Sequence, residues 1–190
     1  MDRVYCYPPA FDVLINKLNI RDAVLLDLAE RRLVGSRTIV AIPAGQFDLA
    51  HLKAIHHHLF QDVYDWAGQL RTVEISKGGS QFQFRRFIET GMADIHRRLV
   101  ERRFLKGLAS ADFAAGAGEI IGDINHVHPF REGNGRAQMV YLRQLALQAG
   151  HRIDLTRIEK DAWMAASRGA NLGRYGPMAA CIAAAIVDAG

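Results

Sequence analysis

The chain has 190 residues, of which 49% are hydrophobic and 23% charged, the composition of a globular protein rather than of a fibrous or disordered one. A chain of this length can bury roughly 70% of its unfolded surface, so its fold needs no disulfide bonds. Two cysteines are too few for a disulfide framework or a four-cysteine zinc site, and a net charge of +4 is a small excess.

Neither a leader peptide nor a membrane span is expected. The first nine residues contain no apolar run of signal-peptide length, and no later stretch approaches the ~18 apolar residues that cross a bilayer. Cysteines placed only near opposite ends, Cys6 and Cys181, fit a reducing compartment. We therefore expect a cytoplasmic protein with no membrane contact.

The basic residues include four arginine pairs, at 31–32, 85–86, 97–98 and 102–103. A nucleic-acid site clusters its positive charge along one face, whereas these pairs alternate with acidic and apolar residues. We expect solvated helix faces and no direct contact with nucleic acid. The pI of 9.3 nevertheless leaves a non-enzymatic basic binding module as an alternative.

No internal repeat or long linker interrupts the sequence, so we expect a single domain over residues 1–190 that opens with a lead-in over residues 1–20. Apolar residues at steps of three and four predict a first helix from Asp22 to Val34, which stops before Gly35. The same spacing predicts a second, longer helix from Phe47 to Ala67.

Between residues 70 and 84 the apolar period changes from about 3.6 to about 2, which is typical of strands. Val73 and Ile75 would lie on one arm of a hairpin, and Phe82 and Phe84 on the other. Lys77-Gly78-Gly79-Ser80 supplies glycines for a tight turn.

The helical period then returns over residues 88–99 and again over residues 113–124. The helix that contains residues 113–124 is expected to end at His128-Pro129, because the residue before a proline disfavours helical angles. Another helix is predicted to begin after the glycines at 133 and 135 and to end at Gly150. Thr156 and Glu159 have the spacing of a capping box, and Gly176-Pro177 opens a last helix. The predicted fold is mainly α with one β-hairpin and no parallel sheet.

The segment from His128 to Arg136 joins two apolar helices and is rich in polar residues. Gly133 and Gly135 allow a close approach to an anion, and the first free N–H groups of the next helix favour negative charge. Arg136 can hold phosphate oxygens in a bidentate manner. A plain connector needs none of these residues together, so the combination favours a phosphate site over a capped helix junction.

Three further residues of this segment have distinct chemistry. Glu132 would repel a polyphosphate unless a cation intervened, and one carboxylate with phosphate oxygens and water is a normal Mg²⁺ site. His128 can accept a proton near neutral pH, so it is the candidate general base. Phe130 is expected to anchor the segment in the core.

The segment His-Pro-Phe-Arg-Glu-Gly-Asn-Gly-Arg resembles the signature of the Fic family at every position. The resemblance extends to Tyr5-Cys6-Tyr7-Pro8, to Asp65-Trp66-Ala67-Gly68 and to Ile158-Glu159-Lys160, as in short bacterial Fic toxins. It implies a helical Fic fold whose hairpin is a flap, and an enzyme that transfers AMP from ATP to a hydroxyl of a target protein.

The resemblance also implies roles for individual residues. His128 would deprotonate the target hydroxyl, and Glu132 would hold Mg²⁺ against the phosphates. The phosphates would be cradled by Gly133, Asn134 and Gly135, and Arg136 would reach the γ-phosphate. The first flap arm would align the target by strand addition; it consists of Val73, Glu74, Ile75, Ser76 and Lys77.

Glycine at position 135 is typical of the AMP-transferring branch, whereas lysine accompanies phosphorylation in the Doc branch. Transfer of UMP or of phosphate through the same loop stays open as an alternative. By resemblance to short Fic toxins, the expected targets are the type II topoisomerases DNA gyrase and topoisomerase IV.

Many Fic proteins carry an inhibitory pattern of Ser or Thr followed four residues later by Glu and then Gly or Asn, and this sequence lacks it. The resemblance therefore implies restraint in trans by a small antitoxin whose glutamate would engage Arg136.

Two other features have simpler interpretations. His56-His57-His58 and His51 invite a metal site, but consecutive helical side chains diverge by about 100°, so we expect surface or partly buried roles. The stretch from Gly169 to Tyr175 fits either the adenine pocket or a plain interhelical loop.

Overall fold

Helices dominate the computed structural model, which describes residues 2–77 and 80–187. Within those residues there are seven α-helices: α1 (Ala23–Ile39), α2 (Leu49–Phe60), α3 (Ile88–Glu101), α4 (Ser110–Val127), α5 (Asn134–Ala149), α6 (Lys160–Ala170) and α7 (Gly176–Ala185). With a short hairpin between α2 and α3, this arrangement confirms the predicted mainly-α fold.

Helix α4 is the centre of the core. Its buried residues lie on nearly every side of the helix, and α3, α5, α6 and α7 all pack against it. Two glycines allow the closest approaches: a Cβ on Gly118 would lie 2.9 Å from the backbone nitrogen of Ala179, and one on Gly122 would lie 2.7 Å from the ring of Tyr175. Helix α4 ends at Val127, directly before His128.

The hairpin is shorter than predicted. Strands β1 (Ser76–Lys77) and β2 (Ser80–Gln81) pair antiparallel, with Ser76 opposite Gln81, and the predicted arms over residues 70–84 are otherwise irregular. The reason is that the carbonyls of Val73 and Gln83 accept hydrogen bonds from the side chain of Arg71. The predicted Gly78-Gly79 turn lies outside the described residues.

A second antiparallel pair was not predicted. Strands β3 (Arg152–Ile153) and β4 (Ile186–Val187) pair with Ile153 opposite Ile186, so Ile186 lies outside the last helix. The pairing joins residues more than thirty positions apart, a distance at which local periodicity carries no information.

Helix α1 runs through Gly35 to Ile39, so the predicted stop before that glycine is wrong. Gly35 does not have a positive φ, and Arg37, two residues later, pairs with Asp62 through both Nε (2.6 Å) and Nη2 (2.7 Å). This ion pair joins the last turn of α1 to the turn that follows α2.

The helix predicted from Phe47 to Ala67 is also different: it begins after the N-cap Asp48 and ends at Phe60. Turns follow, and the carbonyl of Val63 accepts a hydrogen bond of 2.8 Å from the backbone N–H of Lys17 in the lead-in. Residues such as Val63 and Tyr64 are buried as the helical spacing suggested, although the chain reaches the core there through turns.

Helix starts also required correction. Asp154, and not Thr156, acts as a cap, because its carboxylate accepts from the backbone and hydroxyl of Thr156 in a 3-10 turn. Helix α6 then starts without a side-chain cap bond from Glu159. Helix α5 starts at Asn134, so Gly135 lies in its first turn rather than before it.

The lead-in contacts the centre of the molecule. Asp2 pairs with Arg131, and the hydroxyl of Tyr5 lies 3.1 Å from that of Thr72. Among the described residues, no helix is both long and apolar enough to cross a bilayer.

Candidate active site

His128 is the residue at which α4 stops. It has left-handed backbone angles (φ 48°, ψ 62°), and its N–H still donates to the carbonyl of Ile124. Nδ1 lies 3.0 Å from the carbonyl oxygen of Asn125. Because a carbonyl only accepts, this bond places the ring proton on Nδ1 and leaves Nε2 as the basic atom. The helix end thus fixes the tautomer that a general base needs.

The loop after His128 is fastened by Phe130 and Asn134. Phe130 is fully buried, as expected of an anchor, and its ring stacks on that of His56 at 3.9 Å. The side-chain amide of Asn134 accepts from the backbone N–H of Phe130 (2.9 Å) and donates to its carbonyl (2.8 Å). Asn134 therefore organises the loop with its side chain.

The two glycines of the loop have different environments. Gly133 has φ of 80°, and a Cβ there would lie 2.3 Å from the ring of Phe60. Gly135 has no atom within 4 Å of its ideal Cβ position. Gly133 is thus required by the fold, whereas Gly135 adjoins open space at the N-terminus of α5, where the first N–H groups lack intrahelical acceptors.

Two charged residues flank this helix start. Glu132 accepts from the N–H of Gly133 at 2.9 Å and lies 3.7 Å from Nη2 of Arg136. Nη1 of Arg136 is 2.6 Å from Oε1 of Glu30 on α1, and the hydroxyl of Tyr64 donates to the other carboxylate oxygen, Oε2. Arg136 is therefore already held by a carboxylate of its own chain.

These groups face one cleft of about 1650 Å³. His128 and the start of α5 form its floor, the flap residues Val73, Glu74, Ile75 and Ser76 form one side, and α6 forms another. Of the stretch from Gly169 to Tyr175, Asn171 lines the cleft; its side chain accepts from Asn125 at 3.1 Å. The side chain of Lys77 lies outside the described part of the flap.

The sequence model of the Fic/DOC family matches residues 46–146, which include this whole loop and the flap. The chain belongs to the Fic/DOC family. It is 40% identical over 176 residues to the Sinorhizobium fredii protein named "Probable protein adenylyltransferase y4lH", covering 92% of this chain and 91% of that protein.

Two further Fic proteins extend the comparison. The Escherichia coli protein named "Probable protein adenylyltransferase Fic" is 37% identical over 171 residues, covering 89% of this chain and 84% of its own. The crystal structure of BepC from Bartonella tribocorum, with bound AMPPNP, superposes with a TM-score of 0.88 at 26% identity, covering 98% and 97% of the two chains.

Of the histidines of α2, His56 supports the Fic loop through a hydrogen bond to the backbone of Glu132. His56 is fully buried: Nδ1 accepts from the N–H of Gly68 (2.9 Å), so Nε2–H donates to the carbonyl of Glu132 (2.9 Å). Burial lowers the pKa of His56 to about 4. His51 and His58 are also buried and bond to backbone carbonyls, so both are more deeply buried than the surface or partly buried positions that were expected.

No group of three or more His, Cys, Asp or Glu side chains converges anywhere in residues 2–77 and 80–187. The residues that sequence reasoning missed are Glu30, His56 and Arg71. Each contacts the Fic loop from a distant part of the sequence. One feature of the sequence could have indicated them: each is a polar residue at a position where helical spacing or apolar neighbours predict burial.

Proposed function

We propose that this Fic protein is a protein adenylyltransferase that transfers AMP from ATP to a hydroxyl group of a target protein. The observation that carries the proposal is the position of His128, whose Nε2 is left basic by the Nδ1–H bond to Asn125, in the same cleft as the N-terminal start of α5. The names of the S. fredii and E. coli relatives and the AMPPNP bound to BepC support the same activity.

In this reaction Nε2 of His128 removes the proton of the target hydroxyl. The hydroxyl oxygen forms a bond to the α-phosphorus of ATP, the bond from that phosphorus to the bridging oxygen breaks, and pyrophosphate leaves with the electron pair. The N–H groups of Gly135 and its neighbours in the first turn of α5 would stabilise the charge on the phosphate oxygens.

Glu132 is the residue that would hold Mg²⁺. Its carboxylate is about half exposed and adjoins the start of α5 in the cleft. One carboxylate is a sufficient protein contribution, because Mg²⁺ commonly completes its coordination with phosphate oxygens and water. When bound, the ion would screen the negative charge of the triphosphate.

Arg136 would contact the γ-phosphate with the N–H groups that Glu30 does not occupy. The flap residues Val73 to Lys77 would present a strand edge to the target segment. The presence of Val73, Glu74, Ile75 and Ser76 along the cleft supports this role, since it places the flap beside His128.

The test is incubation of the protein with a bacterial lysate and ATP labelled at either the α- or the γ-phosphate. AMP transfer predicts a labelled band with α-labelled ATP and none with γ-labelled ATP; the reverse pattern would identify a kinase, and labelling from UTP alone would identify UMP transfer. His128→Ala is the matched control. It should still bind ATP but lose about 10²–10⁴-fold in rate, because it removes a proton acceptor and no phosphate ligand.

We further propose that the protein is a bacterial toxin of the cytoplasm, that its targets are subunits of DNA gyrase and topoisomerase IV, and that a small antitoxin restrains it. The support is the resemblance to short Fic toxins and the lack of the inhibitory glutamate pattern in the sequence. A labelled band at the mass of the topoisomerase subunits would support these targets, and labelled bands only at other masses would contradict them.

A further inference from the structure

Arg71 has a buried, charged side chain at the base of the flap. The side chain has no exposed surface, and its backbone N–H donates to the carbonyl of Pro129 at 2.9 Å. Burial lowers the pKa of its guanidinium, and Glu74, at 3.3 Å and partly exposed, is its ion-pair partner. A cation in such a place is costly unless its donors are well satisfied.

The guanidinium satisfies its donors by joining three segments. Nε donates to the carbonyl of His128 at 2.8 Å. Nη1 donates to the carbonyl of Val73 on the first flap arm at 2.8 Å, and Nη2 donates to that of Gln83 on the second arm. Nη2 also lies 3.4 Å from the carbonyl of Val127, the last residue of α4. One side chain thus connects both flap arms with the residue proposed as general base.

His128 is held from the flap at a second point. The ring of Phe82 is buried and stacks on the imidazole with centroids 3.7 Å apart and planes 18° apart. Gln83, the next residue, donates its N–H to the carbonyl of His126 at 3.0 Å. The backbone of His128 is therefore fixed by Arg71 and its ring by Phe82, and both contacts come from the flap.

These contacts matter because His128 has left-handed backbone angles, which a residue with a side chain adopts only where its surroundings impose them. A hydrogen bond to its carbonyl restricts the rotation of the peptide that follows, and the stacked ring restricts the side chain. Neither contact involves an atom that would bind a phosphate, since those lie at the start of α5.

We infer that Arg71 is a positioning residue that couples the flap to His128, so that a target segment docked on the flap meets a general base held in register with it. This inference rests on the proposed AMP transfer. It assigns to Arg71 an effect on the rate of transfer that is separate from nucleotide binding.

The test compares Arg71→Met and Arg71→Lys with the wild type, using α-labelled ATP and the lysate band. Rates are expressed per folded molecule, with thermal unfolding as the measure of folding. Arg71→Met should lower the rate at saturating ATP by about 10²-fold, the size of effect that a small misplacement of a catalytic group produces. The ATP concentration for half-maximal rate should stay unchanged. Arg71→Lys keeps the charge but loses the planar guanidinium, so its rate should lie between those of the wild type and Arg71→Met.

Arg98→Met is the matched control. Arg98 is a partly buried arginine that is paired with carboxylates, Asp94 and Asp123, and it lies on α3 outside the cleft. Its loss should lower the unfolding temperature and leave the rate per folded molecule unchanged, which separates general destabilisation from positioning.

Phe82→Leu keeps the test decisive if Arg71→Met does not fold, because it removes the stacking contact without disturbing a buried charge. It should lower the rate with unchanged half-saturation by ATP. Wild-type rates per folded molecule in both Arg71→Lys and Phe82→Leu would overturn the inference, as would a rise in the ATP requirement that accounts for the whole effect. A wild-type protein that transfers no label would instead reject the proposed function.

Discussion

At the scale of single residues, Gly133 and Gly135 illustrate how similar residues in one motif serve different purposes. Gly133 combines a positive φ with the ring of Phe60 at its back, so any side chain there is strained and clashes. Gly135 has no positive φ and borders open space. The fold requires glycine at the first position and does not require it at the second.

This difference gives a prediction for Gly135→Ala. The added methyl group meets no protein atom, and alanine in a helix is more stable than glycine by about 0.5–1 kcal/mol, so the unfolding temperature should stay the same or rise. If the phosphates lie against this position, ATP affinity should fall. Calorimetric titration with ATP and Mg²⁺ measures this affinity.

Gly176→Ala is the control, because Gly176 is also in the first turn of a helix and has no atom near its ideal Cβ position. Equal ATP affinities in the two variants would contradict the prediction.

His56 gives a prediction about pH. Its pKa falls from 6.5 to about 4 in the folded chain, first because of burial and also because of the positive charge of Arg136. At pH values between about 4 and 6.5, His56 binds a proton in the unfolded chain but not in the folded chain. The stability contributed by neutral His56 is therefore complete above pH 6.5 and is lost as the pH falls towards 4, by about 3 kcal/mol in all.

Urea denaturation at pH 7 and pH 5 measures this effect. In His56→Gln, which cannot titrate, the decrease in the free energy of unfolding between the two pH values should be smaller than in the wild type. His57→Gln removes an exposed histidine from the same helix and should keep the wild-type decrease. An undiminished decrease in His56→Gln would show that His56 does not carry this pH dependence.

Roles for the residues of the Fic loop could be proposed from the sequence, because each residue type has a characteristic chemical function. The partners of that loop were not, because Glu30, His56 and Arg71 are 57 to 106 positions away from the loop residues that they contact. A single sequence specifies which polar residues exist and which neighbours are apolar. It does not specify which buried polar residue meets which backbone carbonyl.

At the scale of elements, Glu30 connects two helices and the turns that follow a third. Its carboxylate on α1 accepts from Tyr64, just after α2, and from Arg136 on α5. Burial and the charge of Glu30 both raise the pKa of Tyr64, so the tyrosine stays a donor throughout the working pH range. The network sets the distance of α1 from the start of α5.

Glu30→Gln should destabilise the protein by about 1–3 kcal/mol, because an amide presents an N–H to one of the two donors and leaves it without an acceptor. Tyr64→Phe removes one donor and should cost less, about 1 kcal/mol. The free energies of unfolding of the two variants and of their combination form a double-mutant cycle. Additive losses would show that the two side chains do not interact in solution.

The elements themselves were predicted unevenly. Helices α3, α5 and α7 follow their apolar period, because one side of each packs on the core. Helix α4 was also predicted, although its buried residues lie on nearly every side. The predicted second helix was too long because the buried residues that follow Phe60 mimic a helical period while the chain turns. The hairpin was too long because Arg71 takes the carbonyls that a longer ladder would use.

At the scale of the whole molecule, each of the four arginine pairs has at least one member in an ion pair with an acidic residue. Arg31 pairs with Asp27, Arg97 with Asp94 and Glu101, and Arg102 with Glu119. Exposed pairs of this kind add little to stability, but they neutralise charge where it occurs. This distribution weighs against the alternative of a basic nucleic-acid module, since such a module keeps its positive charge unpaired along one face.

The last prediction concerns restraint by a second protein. On α1, Leu28 is 59% exposed and lies on the same helical stripe as Arg31, Gly35 and Thr38, which line the cleft. We expect a helical antitoxin to pack on this stripe and to bring a glutamate to Arg136, where it would share the guanidinium with Glu30 and occupy the position of the γ-phosphate.

Expression of the protein alone should therefore stop growth, and co-expression with the product of the neighbouring small open reading frame should restore it. Leu28→Glu should keep AMP transfer and toxicity but weaken antitoxin binding at least about tenfold, because a charge replaces an apolar contact at the centre of the interface. Leu147→Glu, at a similarly exposed leucine on α5, should be neutralised as well as the wild type. Growth and label transfer together measure both effects. Three outcomes would contradict this mode of restraint: harmless expression of an active protein, full neutralisation of Leu28→Glu by the antitoxin, or full inhibition by an antitoxin whose glutamate is replaced by glycine. The labelled ATP experiment tests the transferase activity independently.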